Sequence, residues 1–343
     1  MLEILKPYLA DIWLLQMAFF LLYYAVTDGL DLGVGIIALF TRDTVDQGTL
    51  MGSLKSNWHG NQTWLVILGG MLFGAFPVFY GIILSGLYIP IMVMLFGLVF
   101  RGIALELRDQ SKRKRFWGTS FAWGSLVVSI AQGFALGGIL GGNLEVEHGD
   151  FVGSPWAWLN PYAVLVTIGV LFGYPMLGAN YLVMKTQGDL QNRAYRIAWT
   201  TSFITAGIAI AVHIWTALKF PYVTQRWTSF PGSLIIGGLA LISAVLFIFL
   251  LVSLKKRHEN APLFLNAALV VFSFAALSAG LYPNMIPNTF SEGVTVDEAA
   301  ASPKTLLFML YVSAVALPVV LLYTTYEYWV YRGKTSRGLE EEV

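Results

Sequence analysis

The stretch Asn57-Trp58-His59-Gly60-Asn61-Gln62-Thr63-Trp64 opens a long apolar segment, yet it carries five hydrogen-bonding side chains and two indoles. The apolar run from Asn61 to Leu107 is 47 residues long, which is too long for one membrane span. Pro77 and Gly81 predict a turn near its middle, because proline and glycine interrupt helices. The way this run divides therefore decides how many times the chain crosses a membrane.

Composition places the whole chain in a membrane. Of its 343 residues, 57% are hydrophobic and 12% are charged, and the mean hydropathy is +0.67. A soluble domain carries about 25% charged residues. The apolar residues come in runs of about 20, the length of a membrane-spanning helix. The absence of cysteine excludes disulfides, thiolate metal sites and iron–sulfur clusters, and the net charge of +1 gives no indication of nucleic-acid binding.

The apolar runs predict an all-α, polytopic membrane protein that forms one transmembrane domain over residues 1–343. Nine spans are predicted, approximately at 12–40, 59–78, 81–106, 117–141, 160–184, 196–217, 233–254, 262–286 and 305–331.

The charges between the spans support this number. Four basic residues fall on one predicted side: Lys6, Lys219, Arg226 and Lys304. Sixteen fall on the other: Arg42, Lys55, Arg108, Lys112, Arg113, Lys114, Arg115, Lys185, Arg193, Arg196, Lys255, Lys256, Arg257, Arg332, Lys334 and Arg337. Basic residues concentrate on the cytoplasmic side, so we expect the N-terminus outside and the C-terminus in the cytoplasm. With eight spans, the connections rich in basic residues would no longer all lie on one side of the membrane. The outer loops contain acidic residues such as Glu145 and Glu292.

Ionisable residues lie within three of these spans. The topology places Asp28, Asp31, His59 and Arg101 near the cytoplasmic side of the membrane. Glu106 follows Arg101 in the same span and lies closer to the cytoplasmic membrane surface. One interpretation is a hydrated, proton-accessible pocket in which Arg101 holds Asp31 ionised and His59 titrates. The other is a structural network that locks three helices together, with Glu106 simply in the headgroup region. The residues alone leave both interpretations open.

The four histidines argue against a haem in this chain. Haem in a helical membrane protein is often held by histidines of facing helices at one level. His59 is predicted near the cytoplasmic side and His213 near the outer side, while His148 and His258 lie in loops on opposite sides. We therefore expect no haem and no metal ion to be ligated by this chain.

The polar segments also resemble a known family, subunit II of the cytochrome bd-type quinol oxidases. The matching segments occur in order along nearly the whole chain: Thr27-Asp28-Gly29-Leu30-Asp31-Leu32-Gly33-Val34-Gly35, Trp58-x-Gly60-Asn61-Gln62-x-Trp64-Leu65, Phe100-Arg101, Gly178-Ala179-Asn180-Tyr181-Leu182-x-Met184-Lys185-Thr186-x-Gly188-Asp189-Leu190, Tyr282-Pro283-x-x-Ile286-Pro287 and Leu321-Leu322-Tyr323-Thr324-x-x-x-Tyr328-Trp329.

The resemblance implies a heterodimer in a bacterial-type energy-transducing membrane. The partner, subunit I, would carry haem b and haem d, oxidise quinol and reduce dioxygen to water, so no catalytic residue is expected in this chain. The implied fold is two four-helix bundles plus one peripheral helix, surrounded by membrane lipid. Small accessory single-span subunits are left open by the sequence.

The resemblance also implies roles for individual residues. Asp28, Asp31, His59, Arg101 and Glu106 become candidates for a proton path from the cytoplasm. Some family members hold a quinone in this subunit, and Trp58, His59 and Arg101 are the candidates for contacting it here. Two positions depart from the family, which has aspartate where this chain has His59 and Glu106.

Two alternatives belong to other classes of protein. A secondary transporter would use the polar cluster as an intramembrane ion site, and a structural membrane subunit would use it only to join helices. Transporters usually show inverted repeats, and the later half of this chain has no second copy of the acidic and arginine elements.

Overall fold

The computed structural model describes residues 5–287 and 293–335. Glu292 and Arg337, which enter the charge argument above, lie outside the described residues. A short 3₁₀ turn, Lys6–Tyr8, leads into the first helix.

The described residues are mainly helical. The helices are α1 Leu9–Leu39, α2 Thr44–Gly52, α3 Trp58–Ala75, α4 Pro77–Gly86, α5 Tyr88–Gln110, α6 Lys114–Leu140, α7 Pro161–Lys185, α8 Gly188–Lys219, α9 Pro221–Thr228, α10 Gly232–Lys255, α11 Ala261–Leu281, α12 Val296–Ala299 and α13 Pro303–Val330. Two antiparallel pairs, β1 Val146–Glu147 with β2 Asp150–Phe151 and β3 Asn284–Ile286 with β4 Val294–Thr295, lie in connections.

Within the described part of the chain, eight helices are long and apolar enough to cross a membrane: α1, α5, α6, α7, α8, α10, α11 and α13. Their length and composition follow directly from the apolar runs in the sequence. The prediction of a helical, multi-pass membrane protein is therefore confirmed.

Helix α3 corresponds to the predicted span 59–78. It has 18 residues, carries polar side chains in its first turns and is not among the eight helices above. The Asn61 side chain bonds to Tyr328 near the end of α13, whereas the Ala75 carbonyl accepts a hydrogen bond from Ala301 just before α13 begins. Helix α3 therefore runs antiparallel to α13 along most of its length.

The connection between α3 and α5 contains a helix of its own. The chain leaves α3 at Ala75, two residues before Pro77, and enters α5 at Tyr88. Between them α4 occupies residues 77–86, so the first residues of the predicted span 81–106 belong to this short helix. Pro77 suits a helix start because its missing N–H needs no partner there.

The predicted span 262–286 is longer than the helix. Helix α11 ends at Leu281 because Tyr282 adopts an extended conformation before Pro283, as residues preceding proline prefer. Residues 284–286 then form β3.

The connections that carry most of the basic residues touch one another. The Lys55 ammonium contacts the Asp109 carboxylate, Arg193 lies 3.8 Å from Asp46, and Lys334 lies 2.8 Å from Glu259. These contacts join the α2–α3 connection to the end of α5, the start of α8 to α2, and the α10–α11 connection to the segment after α13. One end of the molecule therefore collects the loops that the charge pattern assigns to a single side.

Candidate functional site

A buried cluster of one arginine and two aspartates lies between α1 and α5. Asp28 and Asp31 are three residues apart and so share a face of α1. The Arg101 Nη2 atom lies 2.5 Å from Asp28 Oδ1 and 3.6 Å from Asp31 Oδ2. All three side chains are buried, with at most 1% of their surface exposed. The guanidinium that sequence analysis assigns to Asp31 is therefore closer to Asp28.

Glycines bring the helices close enough for these contacts. Side chains added at Gly33 on α1 or Gly178 on α7 would overlap with the facing backbone, so the two helices cross in direct backbone contact. On α6, a Cβ at Gly124 would lie 3.2 Å from the backbone nitrogen of Arg101. The close approach of α5 and α6 there fixes the level of Arg101 beside α1.

Asn61 extends the cluster to α3 and α13. Its Nδ2 atom donates to Asp31 Oδ2 at 2.9 Å and to the Thr27 carbonyl at 3.3 Å. Its Oδ1 atom accepts a hydrogen bond of 2.7 Å from the Tyr328 hydroxyl. Sequence analysis placed Asn61 near this level but gave Tyr328 no role. The topology predicted from the charges puts Asn61 and Tyr328 on the same side of the membrane, and this feature of the sequence could have indicated their contact.

A second polar branch leads from Asp28 toward α6 and α7. Tyr24 lies one turn before Asp28 on α1, and its hydroxyl accepts a hydrogen bond of 2.6 Å from Gln132 Nε2. The Tyr174 hydroxyl donates to Gln132 Oε1 at 2.5 Å. Sequence analysis missed this branch. Only the four-residue spacing of Tyr24 and Asp28 could have indicated that the two side chains share a face.

His59 and Glu106 form a separate, exposed pair. The His59 Nε2 atom lies 3.6 Å from Glu106 Oε1, and 70% and 55% of the two side chains are exposed. The His59 ring stacks on Trp58 with ring centroids 3.6 Å apart, and Trp58 itself is buried. The predicted residues thus divide into a buried group, Asp28, Asp31 and Arg101, and an exposed pair, His59 at the start of α3 and Glu106 near the end of α5.

The histidines do not assemble a metal centre in the described residues. His213 Nδ1 lies 2.7 Å from the Ala209 carbonyl of its own helix, and His59 faces Glu106. Across residues 5–287 and 293–335, no group of three or more histidine, aspartate or glutamate side chains is arranged to hold a metal ion.

Comparisons with known proteins agree over nearly the whole chain. Residues 9–331 match the family model described as cytochrome bd terminal oxidase subunit II. The chain is 28% identical to cytochrome bd-I ubiquinol oxidase subunit 2 of Escherichia coli K12, covering 95% of each chain. It is 26% identical to cytochrome bd ubiquinol oxidase subunit 2 of Bacillus subtilis 168, covering 96% of this chain and 97% of that one.

The fold is also similar to that of a solved structure. A chain of the bd oxidase from Geobacillus thermodenitrificans superposes with a TM-score of 0.77 at 16% identity, covering 94% of this chain and 97% of the other. The order of matching motifs, the helical membrane fold and the family model all agree, and the chain belongs to the cytochrome bd terminal oxidase subunit II family.

Proposed function

We propose that this chain is the non-haem subunit of a heterodimeric quinol oxidase, and that it conducts protons from the cytoplasm toward the haem-carrying partner. The relatives named above are subunits of ubiquinol oxidases. The partner, subunit I, holds haem b and haem d, oxidises the quinol and reduces dioxygen to water. Reduction of dioxygen consumes protons, and a series of buried ionisable side chains in the other subunit could supply them.

The single observation that carries the proton path is the charge imbalance of the buried cluster. Arg101 supplies one positive charge, whereas Asp28 and Asp31 supply two negative charges when both are ionised. Uncompensated charge away from water costs several kcal/mol. The cluster is therefore stabilised when it binds one proton, and it can release that proton when the surrounding charge changes.

The two aspartates take different roles in this proposal. Asp28 has the shorter contact with Arg101, at 2.5 Å, and serves as its permanent counterion. Asp31 is 3.6 Å from the guanidinium, which is beyond hydrogen-bond distance. Each aspartate has one buried oxygen without a hydrogen-bond partner among the described residues, so the distance to Arg101 is what separates the two. Asp31 is therefore the carboxylate that exchanges protons, while Asn61 orients its Oδ2 atom.

His59 and Glu106 form the entrance of the path. They are exposed, lie 3.6 Å apart and are carried by the ends of α3 and α5. A histidine exchanges protons near neutral pH, so the pair can collect protons from water. If a quinone binds to this subunit, it contacts the surface made by Trp58 and His59. The Arg101 guanidinium is fully buried between the aspartates and is not available to it.

We also propose nine crossings in one transmembrane domain, arranged as two four-helix bundles plus a peripheral helix, with the N-terminus outside and the C-terminus cytoplasmic. The lengthwise pairing of α3 with α13 supports the ninth crossing. The contacts among the basic connections support a common side for them. A reporter fused after Arg115 should be cytoplasmic and one after His148 external; an external signal after Arg115 contradicts this topology.

The test of the proton path compares Asp31→Asn with the parent in the assembled oxidase. A positioned proton-transfer group contributes about 10²–10⁴-fold to a step that it limits. Since water can replace part of this, we expect oxygen consumption to fall by about tenfold, with the haem spectrum of the partner unchanged. His59→Leu should slow turnover in the same direction.

His213→Leu is the matched control, because the hydrogen bond of His213 within the described residues is to a carbonyl of its own helix, α8, and not to the cluster. Its turnover should equal that of the parent. If Asp31→Asn consumes oxygen at the parent rate between pH 6 and 8, the cluster only joins helices and protons enter elsewhere.

A further inference from the structure

A further carboxylate, Glu327 on α13, lies between the exposed pair and the buried cluster. Its neighbour Tyr328 bonds to Asn61, which bonds to Asp31. On its other side, Glu327 lies against Gly60, the residue that follows His59 in the sequence. Side chains of α5 and α13 therefore lie beside the start of α3.

The contact of Glu327 with α3 depends on a missing side chain. A Cβ at Gly60 would lie 2.5 Å from Glu327 Oε2 and 3.4 Å from its Cδ. Gly60 separates His59 from Asn61 in the sequence. The carboxylate therefore occupies the space beside the backbone between the entrance histidine and the first residue of the buried network.

The Glu327 Oε2 atom is buried and has no hydrogen-bond partner among the described residues. Buried carboxylate oxygens are nearly always paired, since leaving one unpaired costs free energy. A purely structural glutamate at this position would be expected to accept hydrogen bonds from the N–H groups or side chains around it. An unpaired oxygen beside Gly60, one residue from a histidine, is instead available to bind a proton.

We propose that Glu327 is a proton-transfer residue that connects His59 to the buried cluster. In this step the N–H bond of protonated His59 breaks and an O–H bond forms at the Glu327 carboxylate. The histidine becomes neutral, and the carboxyl group holds the proton beside Gly60, next to the Asn61–Asp31 pair. The inference rests on the proposed proton path and adds a group from the last helix to it.

Other charged and titratable groups near this position set the conditions of the test. Glu106 on α5 faces His59 at 3.6 Å. Tyr328 bonds to Asn61, and the Lys185 ammonium of α7 contacts the Tyr331 carbonyl, one turn beyond Glu327. Glu106, Tyr328 and Lys185 are unaltered in the variants below, so changes in the pH profile report on Glu327 and His59.

The experiment measures oxygen consumption by the assembled oxidase from pH 6 to 8 for Glu327→Gln, His59→Leu and the double variant. Glutamine keeps the shape of the side chain but cannot exchange the proton. We expect Glu327→Gln to lower turnover by about tenfold and to change the pH profile, as loss of a proton-transfer group should. If the two groups act in series, the double variant should be no slower than the slower single variant.

Glu259→Gln is the matched control, because Glu259 is an exposed carboxylate bonded to Lys334 and Gln191 in the α10–α11 connection. It should keep the parent rate. If Glu327→Gln does not assemble, Glu327→Asp keeps the charge but withdraws it from Gly60. Reduced turnover of that variant supports the proposal, and the parent rate overturns it.

The outcomes separate this proposal from the one it rests on. If Glu327→Gln has the parent rate and pH profile while Asp31→Asn is slow, the proton path stands and Glu327 is not part of it. If both variants have the parent rate, the proton path itself is wrong.

Discussion

The helices before α8 and those from α8 onward use their surfaces differently. Half of the residues in the apolar windows of α6 and α7 are buried, against 11% in α10 and α13 and 17% in α8 and α11. All the buried charged side chains of the described residues lie before α8: Asp28, Asp31, Arg101, Arg108 and Lys185. The polar side chains that the later helices bury completely, such as Asn266 and Ser313, are uncharged, and Glu327 on α13 is half-buried with one buried oxygen.

This difference shows how the chain holds a polar site inside an apolar protein. The earlier helices approach one another through glycines, so polar atoms can reach partners on three neighbouring helices. The later helices expose large apolar side chains, which suit contact with lipid or with a partner subunit. Stability of the first region should therefore depend on named contacts, and that of the second on its apolar surroundings.

The largest expected effect is loss of the central charge. Arg101→Leu leaves two aspartates buried without a counterion, and breaking a buried ion pair in this way costs about 3–5 kcal/mol. We expect little or no chain to co-purify with the haem subunit, measured as yield of assembled oxidase. The control Arg115→Leu removes an exposed arginine at the start of α6 and should assemble normally. Normal assembly of Arg101→Leu would show that the two regions do not differ in this respect.

A smaller effect is expected from one added methyl group. Gly33→Ala places a carbon against the Tyr174 carbonyl of α7, where backbone cannot easily move. Overpacking of this kind costs about 1–3 kcal/mol. The melting temperature of the purified oxidase in detergent should fall.

Gly237→Ala makes the same substitution in α10, where the added carbon would have no neighbour within 4 Å. Alanine is a better helix former than glycine by about 1 kcal/mol, so the melting temperature should be unchanged or slightly higher. Equal decreases in melting temperature for Gly33→Ala and Gly237→Ala would contradict the comparison between the two regions.

Much of the fold could be predicted because membrane spans are properties of continuous segments. Hydropathy places most of the long helices within about five residues, although α5 begins at Tyr88 rather than near 81 and α8 begins at Gly188 rather than near 196. The ends of α3 and α11 follow from Pro77 and Pro283. The short helix α4 was missed because its apolar residues continue the hydrophobic run of the neighbouring spans. Of the site, the shared level of Asp28, Asp31 and Arg101 could be predicted, since depth along a span depends only on residue number.

The pairing of side chains within the site depends on helix rotation, and sequence alone does not determine it. Each residue turns about 100° around a helix axis, so a small rotation exchanges one partner for another. Rotation decides that Arg101 lies closer to Asp28 than to Asp31, and that His59 points outward to Glu106. It also brings Tyr328 and Glu327 of the last helix to α3.

The sequence by itself determined the membrane class, the approximate positions of the long helices and the family, because each is encoded in local hydropathy or in motifs along the chain. Only the tertiary structure decided which carboxylate is the counterion, which histidine is exposed and which residues of α6, α7 and α13 join the polar network. These features arise where glycines let helices far apart in sequence meet at backbone distance. The close contact fixes how each helix is rotated about its axis, and that rotation determines which side chains pair.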